Sequence, residues 1–301
     1  ELWPIAMEAR TRTVDLDLAG QTAIHETGLI LDLTLAARIG NSDISGDLEW
    51  SGVGSGRPLK ADFRSKLLDL EQLDNLFSDE EADNPGSIKD WSEFLDDAEL
   101  LERWHDVPSV DIKLAVDQLE GTPYKISRMG LDAHLEDRQL KGGRMQLDFE
   151  GVEMEGQLDV DMREPSARSD YYVTLKNLDI GHLMKTMGLS DAVNAHVEQM
   201  DLLFESQGMT ARQLIQNMSV DSTLQSLQWS FEAGPNNRPF DINLSEVKVH
   251  AVPDADVTWE THGTLNGFPL NAWLKTPNLR AAFDEKRPQP LRLIIGSRSE
   301  I

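Results

Sequence analysis

Val152-Glu153-Met154-Glu155-Gly156-Gln157-Leu158-Asp159-Val160-Asp161-Met162 is the stretch that decides the fold. Apolar residues or glycine hold every even position, and carboxylates or an amide hold every odd one. A side-chain period of two, kept this long, predicts a β-strand with one apolar face and one acidic face in water. The flanks repeat the pattern. Leu131, Ala133 and Leu135 alternate with Asp132, His134 and Glu136, and Met145, Leu147 and Phe149 alternate with Gln146, Asp148 and Glu150. Past the turn signal Glu164-Pro165-Ser166 come Tyr171, Val173 and Leu175, then Leu178-Asp179, Ile180 and Leu183. Sequential strands with short connections predict an antiparallel meander.

The same alternation extends in both directions. Upstream it runs through Val14, Leu16, Leu18, through Leu29 to Leu35, through Ile44, Gly46, Leu48, Trp50, and through Ala61, Phe63, Ser65, Leu67. Downstream it runs through Ile112, Leu114, Val116, then Leu227, Trp229, Phe231, then Val247, Val249, Ala251, and Val257 to Leu265. Asn266-Gly267 is a hairpin signal leading into Leu270, Ala272 and Leu274. Short helices are expected over Asp179–Met187, Ser190–Val197 and Thr210–Met218, the last capped by Thr210. The fold class is therefore mainly β with a few short α-helices, built on a long antiparallel meander.

An internal repeat organises the chain. Gly46, Leu48, Leu68, Asp69, Leu70 and Leu73 recur 110 positions later as Gly156, Leu158, Leu178, Asp179, Ile180 and Leu183. Stacked units extending one sheet would produce such a period. Three regions follow: residues 1–77 as a β-sheet repeat unit, 78–108 as an acidic linker with an amphipathic helix, and 109–301 as a second β-groove unit with short helices near 181–218. In the linker, Asp and Glu are opposed only by Lys89 and Arg103, and Ile88, Trp91, Leu95, Ala98 and Leu101 fall at helical spacing behind a possible Ser87 cap. That helix either packs over a sheet edge or docks a partner.

Composition excludes several functions. The 301 residues carry 53 Asp and Glu against 28 Lys and Arg, a net charge of -25. Such a chain lacks the basic footprint that nucleic acid requires and is repelled by anionic lipid headgroups. It is not barred from binding acyl chains, which need apolar surface alone. With Cys 0 there is no disulfide, thiol catalysis or thiolate metal site. No apolar run approaches the roughly 18 residues of a membrane span. The start at Glu1-Leu2-Trp3-Pro4 and the apolar run Leu291, Leu293, Ile294, Ile295 read as a fragment whose anchor or flanking repeats lie outside it.

No catalytic constellation is legible. His25, His105, His134, His182, His196, His250 and His262 are scattered, without metal-ligand spacing. Gly52, Gly54 and Gly56 lack the spacing and the lysine of a phosphate loop. Asp15/Asp17 and Asp159/Asp161 are outward rows of strands, and no calcium-loop pattern surrounds them or Asp254/Asp256. Trp50, Trp229 and Trp259 share phase with apolar neighbours, unlike Trp273. No enzyme activity, cofactor or metal is expected. The functional question is what dries the apolar face: a sandwich, a helical cover, or a ligand in an open groove.

The run Val110-Asp111-Ile112-Lys113-Leu114, with Gly130-Leu131-Asp132-Ala133, Leu140-Lys141-Gly142-Gly143, Glu155 to Val160 and Leu178 to Leu183, resembles the AsmA-like family of bacterial envelope proteins, relatives of the TamB-type and bridge-like lipid-transfer proteins. Gly208 to Met218 and Gly263 to Leu270 extend the similarity. The linker departs from that pattern in being acidic rather than proline-rich, and the family's N-terminal membrane helix is missing from this sequence. The resemblance implies a long twisted antiparallel sheet (meander) curled into a groove or partial barrel, serving as a non-enzymatic periplasmic conduit tethered to the inner membrane by an N-terminal helix outside this chain. It would shield phospholipid or other acyl lipid on its way between the inner and outer membranes, with envelope proteins as possible partners. Strand phase then nominates Leu114, Val116, Leu131, Leu135, Met145, Leu147, Phe149, Leu158, Val160, Met162, Val173 and Leu175 as groove residues. The alternative is a structural or adhesive β-domain with a closed dry core, serving as a protein-interaction scaffold.

Overall fold

The computed structural model describes residues 2–10, 14–25, 28–51, 59–70, 109–121, 124–164, 166–186, 194–233, 238–276 and 292–295. The chain forms two compact units, residues 1–149 with 157–167 and residues 150–156 with 168–301. Among the described residues the architecture is mainly β, antiparallel at all but one junction, with two short helices. Neither unit closes into a barrel. The linker 78–108, expected to separate two domains, lies outside the described residues, and the strands on either side of it are neighbours in one unit.

Unit 1 holds β1 (Leu2–Arg10), β2 (Val14–His25), β3 (Gly28–Ile39), β4 (Ser42–Ser51), β5 (Leu59–Ser65), the two-residue β6 (Leu68–Asp69), β7 (Val110–Glu120), β8 (Ile126–Glu136) and β9 (Gln139–Phe149). Each pairs with the next as an antiparallel hairpin until β5, which pairs with β7 in parallel, Phe63 against Leu114. This departs from the expected meander. A parallel neighbour needs a long crossover, and residues 66–109 provide one. Asp43 fixes the break between β5 and β6. Its carboxylate accepts the Lys66 and Leu67 amides at 2.9 Å each, while Ser42 Oγ accepts the Asp69 amide at 2.8 Å.

Unit 2 holds β11 (Arg168–Asp179), α1 (Ile180–Thr186), β12 (Asn194–Gln207), α2 (Ala211–Gln216), β13 (Ser219–Ala233), β14 (Arg238–Ala251), β15 (Val257–Leu265), β16 (Phe268–Thr276) and β17 (Arg292–Ile295). Pairing is antiparallel from β11 to β17. One further strand, β10 (Val152–Asp161), is shared, its first half assigned to unit 2 and its second to unit 1.

The helices follow their caps. Asp179 Oδ1 accepts the His182 amide at 2.8 Å to open α1, and Thr210 Oγ1 accepts the Gln213 amide at 3.2 Å to open α2. Of the helix expected over Ser190–Val197, residues 190–193 lie outside the described residues and the rest is corrected. Asn194 to Val197 begin β12, where Val197 is paired on both sides, with Leu178 and Leu227. Two flanking ladders outweigh a short stretch of helical spacing. The 110-residue repeat survives in its described part. β4 and β10 carry the Gly-x-Leu, and Leu-Asp follows as the separate β6 in the first copy and as the last two residues of β11 in the second. Leu73 lies outside the described residues.

Strict alternation is interrupted along one line of unit 2. Between the pairs Lys176–Gln199 and Leu178–Val197, Asn177 and Glu198 are skipped, with Asn177 at φ 58°. In β13 Ser226 is skipped at φ 55°, and in β14 Ser245 bulges opposite β15. Each irregularity reverses side-chain phase. Because they lie side by side, the reversals cancel from strand to strand and the apolar face stays continuous across this seam.

Candidate functional site

The apolar faces are built from rows of paired residues. In unit 1 one row crosses seven strands as Leu18, Leu35, Gly46, Phe63, Leu114, Leu131 and Met145. Beside it run Gly20, Leu33, Leu48, Ala61, Ile112 and Ala133. In unit 2 the rows short of the seam are Val173, Leu202, Ser222, Val249, Trp259, Leu274 and Leu175, Met200, Leu224, Val247, Thr261, Ala272. Beyond it lies Leu178, Val197, Leu227, Leu244, Gly263, Leu270.

No second layer covers these rows among the described residues. Strands pack against their sheet neighbours, and α1 and α2 against β12. Most row residues are half-buried rather than buried, including Leu35, Phe63, Leu114, Leu131, Leu202 and Leu224. The largest fully buried side chains among the described residues are only Val116, Val197, Ser42 and Ser169. A face interdigitated with a second sheet would bury leucines and aromatics completely.

Glycines mark where the backbone turns toward the apolar side. A methyl on Gly46 would overlap the Asp62 carbonyl oxygen, one on Gly20 the Asp32 oxygen, and one on Gly263 the Asn243 oxygen. All three sit in apolar rows, so the neighbouring strand crowds the apolar side of each and the sheet bends toward that side there.

The groove residues nominated from strand phase fall into two sets. Leu114, Leu131 and Met145 share one row, and Val173 and Leu175 stand in register with Leu202 and Met200. These five, with Leu147, Phe149 and Leu158, are half-buried. Val116, Leu135, Val160 and Met162 are buried under their neighbours and hold the sheet rather than line a surface. Phase reasoning missed Met129, which pairs with Val116, and Ile126, which pairs with Phe149. Arg128, at φ 49°, reverses phase between them, and an arginine in the left-handed region has no sequence signature. It also missed Leu18, Leu35 and Phe63, which the parallel β5–β7 junction brings into the row of Leu114.

The opposite faces are polar and internally paired. The Asp111 carboxylate hydrogen-bonds the His134 ring and, with Glu136, holds the imidazole above its ordinary range against partial burial. The Arg163 guanidinium, 2.6 Å from Asp161, holds that carboxyl far below the usual carboxylate range, helped by Gln139. Partial burial pushes Asp43 up, but the Leu67 and Lys66 amides and the Ser65 hydroxyl outweigh it and leave its carboxyl low. On the apolar face, burial pushes the Tyr171 phenol up.

His134, His250 and His262 lie on the polar phase, as read from the sequence, each beside a carboxylate. Among the described residues no cluster of three or more metal-ligating side chains forms, and no helix is long and apolar enough to cross a membrane. The chain matches no protein-family model, no curated protein and no solved structure.

Proposed function

We propose that the apolar faces shield lipid acyl chains from water, each unit offering its own half-exposed rows, and that the protein is a non-enzymatic lipid conduit of the cell envelope. The observation that carries this reading is the half-burial of rows such as Leu18–Leu35–Phe63–Leu114–Leu131, with no second layer over them among the described residues. An apolar face this long needs a cover, and an acyl chain supplies one at about 0.8 kcal/mol per buried CH₂. The acidic opposite faces keep such a surface soluble. The AsmA-like resemblance supports the same reading, and with it a periplasmic setting and phospholipid as cargo.

The test is organic extraction and mass spectrometry of the purified chain, before and after stripping and re-exposure to phospholipid. Phospholipid present in stoichiometric amount and retaken after stripping is the expected result. Leu202→Glu, on a half-buried row position, should lose lipid while keeping its circular dichroism. A chain that stays folded without lipid and takes none up would overturn the proposal in favour of a dry scaffold.

A further inference from the structure

The seam divides unit 2 into ends of different electrical character. On the polar face of β12–β16 short of the seam stand Asp201, Glu205, Asp221, Glu246, Lys248, Glu260 and Lys275. Beyond it the same face carries Asn194, Ser230 and Asp241 in one row and His196, Gln228, Asn243 and Thr264 in the next. Asp241, and Asp179 of β11 paired with His196, are the carboxylates in those two rows.

The apolar face of that end is aromatic and open. Phe268, beside the β15–β16 turn, is 74% exposed, and Trp229 is 41% exposed. They belong to one row, Ala195–Trp229–Ile242–Leu265–Phe268. Next to it, Phe231 lies 5.1 Å from the Trp229 ring and stacks on Phe240 at 5.3 Å. The turn that presents Phe268 is held firmly. Asn266 and Gly267 take φ 50° and 80°, the Asn266 amide donates to the Asp241 carbonyl at 2.8 Å, and its side-chain oxygen accepts the Asp241 amide at 2.8 Å.

We propose that this end of unit 2 is a membrane-contact edge, which lays Phe268, Trp229 and the Phe231–Phe240 pair into the interface of a bilayer with zwitterionic headgroups. Aromatic rings favour that depth, where one side is apolar and the other wet. Charge selects this end over the other. Screening confines electrostatics to about 8 Å at physiological salt, so a chain of net charge -25 approaches a bilayer best where its charged side chains are fewest. The amides and hydroxyls of the opposite face can still bond headgroup oxygens. The proposal does not depend on acyl-chain shielding, although the exposed row is continuous with the apolar face and would meet lipid directly.

The experiment is flotation of the full chain with phosphatidylcholine vesicles, and with vesicles containing phosphatidylglycerol. Wild type should float with the first and more weakly with the second. Phe268→Asp removes an exposed ring, so it should fold normally and weaken flotation about tenfold or more. Asn243→Asp, on the other face of the same end, should weaken it too. Leu203→Asp, at a residue also exposed (38%) but on the charged part of the polar face, should leave flotation unchanged. Lipid recovered by extraction should stay constant in Phe268→Asp, whereas Leu202→Glu should lose extracted lipid and still float, which separates this edge from the shielding face. A wild type that ignores zwitterionic vesicles, equal losses in Phe268→Asp and Leu203→Asp, or a wild-type dimer that Phe268→Asp disperses would each overturn the proposal, the last by assigning the edge to a second copy.

Discussion

Gly46 stands directly across from Phe63 in the β4–β5 pair, and no side chain fits on it because the Asp62 carbonyl oxygen occupies the place of a Cβ. Gly46→Ala must push β5 away or flatten the bend, at a cost of about 3 kcal/mol. Gly130→Ala would meet only the Gln146 side chain, which can swing aside, and should cost under about 1 kcal/mol. Urea midpoints for the two variants, at unchanged slope, check the contrast.

Leu131 lies in the middle of the unit 1 row yet remains half-buried. Leu131→Ala should therefore cost about 1 kcal/mol, against roughly 3 kcal/mol or more for a leucine sealed between two sheets. Equilibrium unfolding of lipid-stripped protein reads the difference. Under the proposed acyl-chain shielding, adding lipid should stabilise wild type more than the variant.

Ser226 sits on the seam at φ 55°, a conformation that costs an L-residue energy and glycine very little. Ser226→Gly should be neutral or stabilising by about 0.5 kcal/mol, and Ser226→Val should destabilise by about 2 kcal/mol. Thermal melts suffice. Equal behaviour of the two variants would mean that the seam is not held at this residue.

Two polar clusters predict pH effects of opposite sign. His134 has its folded value raised by Asp111 and Glu136, so its contribution is complete below the ordinary value of 6.5 and fades as pH rises through the folded one. His134→Gln should cost up to about 1 kcal/mol at pH 5.5 and nothing at pH 9, the pair being partly exposed. Asp43 has its value lowered, so its contribution is complete above 3.8 and fades as pH falls through the folded value. Asp43→Asn should cost about 1 kcal/mol at pH 7 and less in acid. Stability measured against pH for wild type and both variants gives the two slopes.

Alternation made the strands and their apolar faces legible, because a one-sided sheet writes its burial into every second residue. Gly46 and Gly156, spaced with Leu48 and Leu158, revealed a repeat whose strands the structure retains. Asn266-Gly267 and Thr210 named their turn and cap correctly because both act locally. What stayed hidden is non-local or conformational. The β5–β7 junction depends on where Leu114 lands after a crossover, and nothing near Phe63 encodes a parallel partner. The phase reversals at Asn177, Ser226 and Arg128 rest on backbone angles that ordinary residues adopt only because the neighbouring strands demand it. The nominated Val116, Leu135, Val160 and Met162 share phase with half-exposed leucines, and phase alone does not measure depth.

The parallel junction has a kinetic consequence. β1 to β5 and β7 to β9 are hairpins whose contacts form between near neighbours, on the microsecond scale of local zippering. Joining β5 to β7 closes a loop of roughly 40 residues, whose length-dependent entropy is about 3 kcal/mol, before Phe63 meets Leu114. Unit 1 should thus assemble as two quickly formed halves that wait for one rare encounter. The clip of Ser42 and Asp43 on residues 65–69 turns the chain out of β5 before the crossover begins. It therefore sets how long the unfinished edge of β5 stays open to misplaced partners during refolding.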